Sequence, residues 1–389
     1  MKKILFAIDS LSGGGAERVI SLLANQIHAW GYTVDILLAF DTKVEYEIAD
    51  GIGVYDINGA RVNTVQSTVG KAEPKPTSVT PQYYRPPNCL QRMRYRISEY
   101  RDRQRRIKRV AEFVNNGRYD AVVSFLTSTN ELVGAASKKF RAKAIISERC
   151  APVETVITQD KGKWTLKQYA KADRIVFQTP DAMHCYPIKI QRKGAVIPNP
   201  IKTDLPARFE GERKKEIVTF GRLDKQKNLP MLIRAFAEIV KKYPDYTLHF
   251  FGRGQEKDNL IALVNDLGLQ DKVVIEGFAS NVHEIIKDKA MYVSTSDYEG
   301  ISNSMLEALA IGLPCICTDC PVGGARLAIQ DRENGILIGV KDEKALIQAM
   351  EELISSAELS ERLSVNAVKL RERWAVDEIA KRWLEVVEE

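Results

Sequence analysis

Tyr298-Glu299-Gly300-Ile301-Ser302-Asn303-Ser304-Met305-Leu306-Glu307-Ala308-Leu309-Ala310 sets two carboxylates eight positions apart, where small polar residues give way to apolar ones. Ahead of it, Ala290-Met291-Tyr292-Val293-Ser294-Thr295-Ser296 reads as a short buried strand. Behind it, Gly312-Leu313-Pro314 stops a helix and Cys315-Ile316-Cys317-Thr318 begins another strand. Strand, loop, helix and strand in so short a span make a unit of a parallel sheet. A helix starting near Ser302–Ser304 turns its unpaired N–H groups toward the loop that carries Glu299, and Glu307 lies about one turn further in. Such an end suits an anionic group.

The same alternation runs outward on both sides. Glu216–Phe220 reads as a strand, Gly221-Arg222-Leu223-Asp224-Lys225-Gln226-Lys227-Asn228 as a polar loop, and Leu229–Lys242 as an amphipathic helix. Tyr246–Phe251 is a strand before Gly252-Arg253-Gly254, Gln255–Leu267 a helix, and Val273–Glu276 a strand before Gly277. In the first half, Lys3–Asp9 is a strand, Leu11-Ser12-Gly13-Gly14-Gly15 a turn, Ala16–Trp30 a helix and Tyr32–Phe40 a second strand. The glycine turn falls short of the dinucleotide fingerprint, because Arg18 stands where a third glycine belongs. It still lets a ligand approach the backbone closely. Further strands are expected at Tyr119–Leu126, Lys143–Glu148 and Lys171–Gln178, with a helix over Asn130–Lys139. The fold class that follows is α/β, with two doubly wound parallel-sheet halves. The pair Pro198-Asn199-Pro200 marks the linker, which gives domains 1–197 and 198–372. An amphipathic C-terminal segment, Arg373–Glu389, carries Val376, Ile379, Ala380, Trp383, Leu384 and Val387 on one side.

A chain of 389 residues exceeds one comfortable core, which fits two domains. No apolar run reaches the length of a membrane span, and Asp9 ends the first apolar stretch too early for a signal peptide. Cys89, Cys150, Cys185, Cys315, Cys317 and Cys320 are too scattered for a disulfide framework. They read as structural thiols of a reduced, cytoplasmic protein.

Charge is concentrated in one place. Arg92, Arg94, Arg96, Arg101, Arg103, Arg105, Arg106, Lys108 and Arg109 face only Glu99 and Asp102, so this segment alone exceeds the chain's net +6. Leu90, Met93, Ile97, Tyr100, Ile107, Ala111 and Val114 recur at three- and four-residue spacing, which predicts an amphipathic helix. Three readings share this pattern: a solvated helix packed by its stripe, a helix on an anionic membrane surface, and a nucleic-acid patch. The membrane reading is preferred, with no nucleic acid as partner. Before this helix, the proline-rich stretch from Arg61 to Cys89 reads as a long loop.

In open parallel sheets, ligands bind beyond the carboxyl ends of the strands. Gly221–Asn228, Gly252–Gly254, Gly277–Asn281 and Tyr298–Asn303 all fall there. Arg222 and Lys227 flank a tight loop and suit a diphosphate, Arg as a fork and Lys as a point charge. Glu307 is embedded between Met305-Leu306 and Ala308-Leu309-Ala310, where a lone carboxylate is costly, so a hydroxyl or cationic partner is expected.

The Gly221–Asn228 loop, the Glu299 and Glu307 pair, and Gly13-Gly14-Gly15-Ala16-Glu17-Arg18 together resemble the retaining glycosyltransferases of family 4, with the GT-B fold. The likeness spans nearly the whole chain and is closest to the branch that extends bacterial capsular, O-antigen or lipid-linked oligosaccharides. It implies two Rossmann-like domains facing a cleft, with the C-terminal helix returning to the first. It implies transfer of a hexose or N-acetylhexosamine from a nucleotide sugar, UDP-linked, to a saccharide acceptor carried on polyprenyl diphosphate. Arg222 and Lys227 would then bind the diphosphate and stabilise the leaving nucleotide, while Glu307 would bond the ribose. Glu299 would orient the sugar, helped by backbone N–H groups of Gly300, Ile301, Ser302, Asn303 and Ser304. Gly277 and Phe278 would frame the base, and Gly14 and Gly15 would approach the donor from the other domain. Arg92, Arg94, Arg96, Arg101, Arg103, Arg105, Arg106 and Arg109 would engage the acceptor or the inner face of the cell membrane.

The chain has no Asp-x-Asp, so neither metal nor cofactor is expected. Many relatives place an active-site histidine in the first domain. His28, His184, His249 and His283 do not obviously fill that place; Ser128-Thr129-Asn130 stands roughly there, and the role stays open. A nucleotide-sugar 2-epimerase on the same architecture is the alternative enzyme, separable by donor isomerisation without acceptor. A nucleic-acid binder would show salt-sensitive binding without nucleotide-sugar binding.

Overall fold

The computed structural model describes residues 1–63, 89–149 and 162–389; the expected long loop from Arg61 to Cys89 lies almost wholly outside them. The chain packs as two compact units. One holds Met1–Glu148, residues 162–176 and Glu389; the other holds Arg149 and Phe177–Glu388. Pro198-Asn199-Pro200 falls within the second unit, as does the C-terminal helix Val376–Glu388.

The first sheet is built from β1 (Lys3–Ile8), β2 (Thr33–Leu38), β3 (Gly53–Asp56), β4 (Ala121–Phe125), β5 (Lys143–Ser147), β6 (Arg174–Phe177) and β7 (Gly194–Val196). Its order is β3-β2-β1-β4-β5-β6-β7, and the registers of β1 through β6 are all parallel. Leu5, Ile36, Val122 and Ile145 are almost wholly buried, because helices cover both faces of a parallel sheet and leave little room for alternation. The second sheet comprises β8 (Lys214–Phe220), β9 (Thr247–Phe251), β10 (Val273–Gly277), β11 (Lys289–Ser294), β12 (Cys315–Thr318) and β13 (Ile336–Ile338). Its order is β10-β9-β8-β11-β12-β13. Each sheet thus reverses direction once, between β1 and β4 in the first and between β8 and β11 in the second. At such a reversal the connections leave the neighbouring strands toward opposite faces of the sheet, and ligands of open parallel sheets bind at the carboxyl ends there.

Expected and observed elements agree to within a few residues; Leu229–Lys242 matches at both ends, and the strand expected to begin at Cys315 does so and ends at Thr318. Three short strands escaped the sequence reading: Gly53–Asp56, Gly194–Val196 and Ile336–Ile338. They are three or four residues long, too short for a period to show.

The basic segment is a single helix, Cys89–Gly117. Its apolar stripe does not behave as one surface. Ile107, Val110, Ala111 and Val114 enter the core with Leu5, Leu37 and Val122. Met93, Ile97 and Tyr100 remain 57%, 44% and 62% exposed. Replacing Ile107 by Ala should therefore cost about 2–4 kcal/mol in chemical denaturation, whereas Ile97→Ala should stay within about 0.5 kcal/mol of the parent. Equal costs would show that the whole stripe packs.

Candidate donor site at the carboxyl ends of the second sheet

Phe220 closes β8 inside the core, and Gly221 follows at φ +138°, a backbone that L side chains rarely adopt. A Cβ there would also stand 3.8 Å from Ser304 Oγ and 3.9 Å from the Lys227 side chain. The glycine thus keeps open the space between the basic loop and the start of the helix Asn303–Ala310. That helix begins where expected: Ser302 is its N-cap, and its hydroxyl accepts the Met305 N–H at 3.4 Å.

The loops after β8 and β11 are sewn to each other. Asp297 N–H donates to Gln226 O at 2.9 Å, and Gln226 Nε2 donates to Tyr298 O at 2.8 Å. Asn228 Nδ2 meets Asp297 Oδ1 at 2.8 Å, and Thr295 Oγ1 donates to the carbonyls of Lys227 and Asn228. This stitching brings Lys227 Nζ to 2.5 Å from Glu299 Oε1, with the two side chains only 15% and 17% exposed. Ser296 Oγ donates to the same carboxylate oxygen at 3.1 Å. The residues expected on diphosphate and sugar are thus paired directly. Arg222 and Lys227 line one small pocket with Phe220, Gly221 and Thr295. Glu299, Gly300 and Ser302 line another with Cys317, Thr318 and Cys320. Arg222 itself is exposed, held by Asp224 at 3.0 Å and Gln226 at 3.1 Å.

The backbone N–H groups expected to serve the ligand are not equivalent. Ile301 is buried, and its N–H is spent on Gln178 Oε1 at 3.2 Å. Gly300 packs so closely on that amide that a Cβ would collide with it. Asn199 completes the support: its Nδ2 donates to Ile301 O at 3.2 Å and Asn303 Oδ1 at 2.7 Å, while Arg149 and Gln178 donate to its Oδ1. Asn303 therefore belongs to this scaffold through its side chain. The proline-flanked Asn199 drew attention only as a linker marker; nothing in its local pattern announced the role.

Glu307 is 4% exposed, and its Oε2 lies 2.8 Å from His283 Nε2. The expected partner thus exists, but it is a histidine that the sequence left unassigned. Gly277 is left-handed at φ +83°, and Phe278 beyond it is 65% exposed beneath the Arg253 guanidinium, 5.3 Å from the ring centre. Cys315, Cys317 and Cys320 are buried free thiols, and burial pushes Cys320 up to about 11. Among the described residues, no cluster of His, Cys, Asp and Glu suits a metal ion.

In the first unit, Gly14 caps the helix Gly15–Ala29, and Tyr46 OH donates to its carbonyl at 2.7 Å. Thr129 Oγ1 lies 2.5 Å from Asp9 Oδ1 at the ends of β4 and β1, and burial raises the Asp9 carboxyl above its usual range. Asn130 is committed internally to Ser124, Ser147 and Tyr169. The arginines of the basic helix also differ. Arg92, Arg94, Arg96 and Arg101 lie on the exposed half. Arg103 stacks 5.1 Å from the Trp164 ring, and Arg105 pairs with Asp102. Arg106 covers Phe40 and donates to Ala39 O at 2.7 Å, and it lines a pocket with Arg105 and Arg109.

Stripping one partner from the Lys227–Glu299 pair leaves a poorly hydrated charge. Lys227→Met should lower stability by about 1–3 kcal/mol, and adding Glu299→Gln should restore part of it. Purely additive losses in denaturant titrations would show that the pair is uncoupled.

Residues 201–370 match the family model for glycosyl transferases group 1. A Campylobacter jejuni GalNAc-alpha-(1->4)-GalNAc-alpha-(1->3)-diNAcBac-PP-undecaprenol alpha-1,4-N-acetyl-D-galactosaminyltransferase is 23% identical over 100% of this chain and 99% of its own. A second Campylobacter jejuni enzyme, an N-acetylgalactosamine-N,N'-diacetylbacillosaminyl-diphospho-undecaprenol 4-alpha-N-acetylgalactosaminyltransferase, is 35% identical over 38% of this chain and 39% of its own. The crystal structure of Anabaena HepE in complex with UDP superimposes with a TM-score of 0.74 at 16% identity, covering 99% of both chains. Basic loop, paired glutamates and helix start thus sit on a GT-B fold. Residues 201–370 thus belong to the glycosyl transferases group 1 family, and over its full length the chain is similar to a bacterial N-acetylgalactosaminyltransferase named for an undecaprenol-linked glycan.

Proposed function

We propose that the protein transfers a hexose or N-acetylhexosamine from a UDP-sugar, with retention and without a metal ion, to a saccharide carried on polyprenyl diphosphate in surface-glycan assembly. The observation that carries this reading is the Lys227–Glu299 pair beside Arg222 and the start of Asn303–Ala310. It sets two cations and a helix N-terminus beside a carboxylate, an arrangement suited to a diphosphate joined to a sugar. The chemistry follows from charge. As the bond from C1 of the sugar to the diphosphate oxygen breaks, its electrons leave with the diphosphate and the sugar becomes oxocarbenium-like. Arg222, Lys227 and the helix dipole stabilise the charge that develops. The acceptor hydroxyl bonds to C1 on the same face, so the departing phosphate oxygen takes its proton and configuration is retained. Glu299 orients the sugar hydroxyls, Glu307 the ribose, and Phe278 with Gly277 the base. Gly14 and Gly15 belong to the other unit, and their part rests on the family resemblance.

Because Lys227 and Glu299 are bonded together at 2.5 Å, a donor inserts its phosphate and sugar at a clamp whose two halves already hold one another in place. Lys227→Ala and Glu307→Ala should each lower transfer at least ~100-fold while the protein stays folded, measured by release of UDP in the presence of acceptor. Full turnover in either variant would remove the assignment. Donor isomerisation without acceptor, followed by NMR, would turn the reading toward a 2-epimerase.

For the acceptor side, the exposed half of Cys89–Gly117 joins Arg92, Arg94, Arg96 and Arg101 to Met93, Ile97 and Tyr100, a combination suited to an anionic lipid surface. Among the described residues no helix is long and apolar enough to cross a membrane. Phosphatidylglycerol vesicles should sediment the protein, and replacing those four arginines with Glu should abolish co-sedimentation. Equal recovery of both proteins would make the helix a solvated one.

A further inference from the structure

We propose that His283 is a positioning residue for the donor's ribose, acting through Glu307; this rests on the reading above that Glu307 binds the ribose hydroxyls. His283 lies on the short helix Val282–Ile286, between β10 and β11, and is 7% exposed. Its Nε2 is 2.8 Å from Glu307 Oε2, so the ring N–H donates to the carboxylate. The imidazole plane is fixed from another side. Phe220 meets it edge-on, with centroids 5.6 Å apart and planes at 87°, and Phe220 is itself tilted against Tyr292 at 5.2 Å. Tyr292 then reaches the helix that carries Glu307, its hydroxyl 3.0 Å from Ser304 Oγ. One aromatic wall therefore links the end of β8, the histidine and the helix.

Three physical consequences follow. Burying a carboxylate among apolar neighbours is costly unless donors meet its oxygens, and the ionised form is the better acceptor for a sugar hydroxyl. The His283 N–H supplies a charge-assisted hydrogen bond, which keeps the group an acceptor. Glu side chains are long and rotamer-rich, and anchoring Oε2 fixes the plane in which Oε1 is presented. Each carboxylate oxygen holds two lone pairs, so one carboxylate can accept from an imidazole and from sugar hydroxyls together. Loss of the anchor should weaken the contacts to ribose and leave those to the phosphates intact. The histidine thus determines how strongly a ribonucleotide is told from its deoxy counterpart.

The test uses two substitutions of similar polarity. Gln places its amide nitrogen about where Nε2 stands, and Asn falls short of it. Wild type, His283→Gln and His283→Asn are titrated calorimetrically with whichever of UDP, GDP or ADP binds wild type best, and with its 2′- and 3′-deoxy forms. Thermal melts confirm that all are folded. His283→Asn should bind the ribonucleotide about tenfold more weakly, with less than about threefold change for the deoxy form lacking the contacted hydroxyl. His283→Gln should keep most of the wild-type discrimination. If His283→Asn weakens ribo and deoxy forms equally, or leaves the discrimination untouched, the proposal is overturned while the donor site stands. If wild type binds none of the nucleotides, the donor reading itself falls and takes this role with it.

Discussion

Lys227 and Glu299 hold opposite charges 2.5 Å apart in a place where water reaches little of either side chain. Such a pair gains by Coulomb attraction what it loses by desolvation only when its geometry is held from outside. The holding is visible in the backbone. The loops after β8 and β11 exchange bonds through Gln226, Asn228, Thr295 and Asp297, and the pair is what that stitching delivers. Topology makes it possible, because β8 and β11 are neighbours at the point where the strand order reverses.

A second layer supports the first. Gln178, Asn199 and Arg149 form a buried polar network against the loop from Gly300 to Asn303. Amide side chains suit this task, since each donates and accepts at once and carries no charge to be neutralised. The price is that the Ile301 N–H is already engaged, so the unpaired N–H groups of this turn are those of the helix start itself. Glu307 and His283 repeat the principle one turn deeper, with a buried acceptor held by a buried donor.

The first unit shows how one sequence pattern can serve two environments. A single amphipathic period runs along Cys89–Gly117, yet Ile107, Val110 and Val114 are core while Met93, Ile97 and Tyr100 are exposed. Its arginines divide in the same way. Arg106 is spent on Phe40 and the Ala39 carbonyl, whereas Arg92, Arg94 and Arg96 lie on the exposed half. Periodicity records which residues share a face and is silent on whether anything lies opposite.

Local chemistry was enough for much of this protein. Near-continuous apolar strands alternating with amphipathic helices specified two parallel sheets, because burial on both faces leaves its mark on every strand. Ser302 announced its helix, since capping involves neighbours three residues apart. Glu307 announced the need for a partner, since an ionised carboxylate amid Leu306, Ala308 and Leu309 is costly alone. The partners themselves lay beyond reach. Lys227 and Glu299 are 72 residues apart, His283 and Glu307 24, and Asn199 and Asn303 104. No short-range pattern links such positions; strand order and loop path bring them together. Local pattern thus carries the fold and the residue types that gather at the carboxyl ends of the second sheet, and the path of the chain in three dimensions settles which of them touch, because contact partners are set by strand order and not by neighbours in the chain.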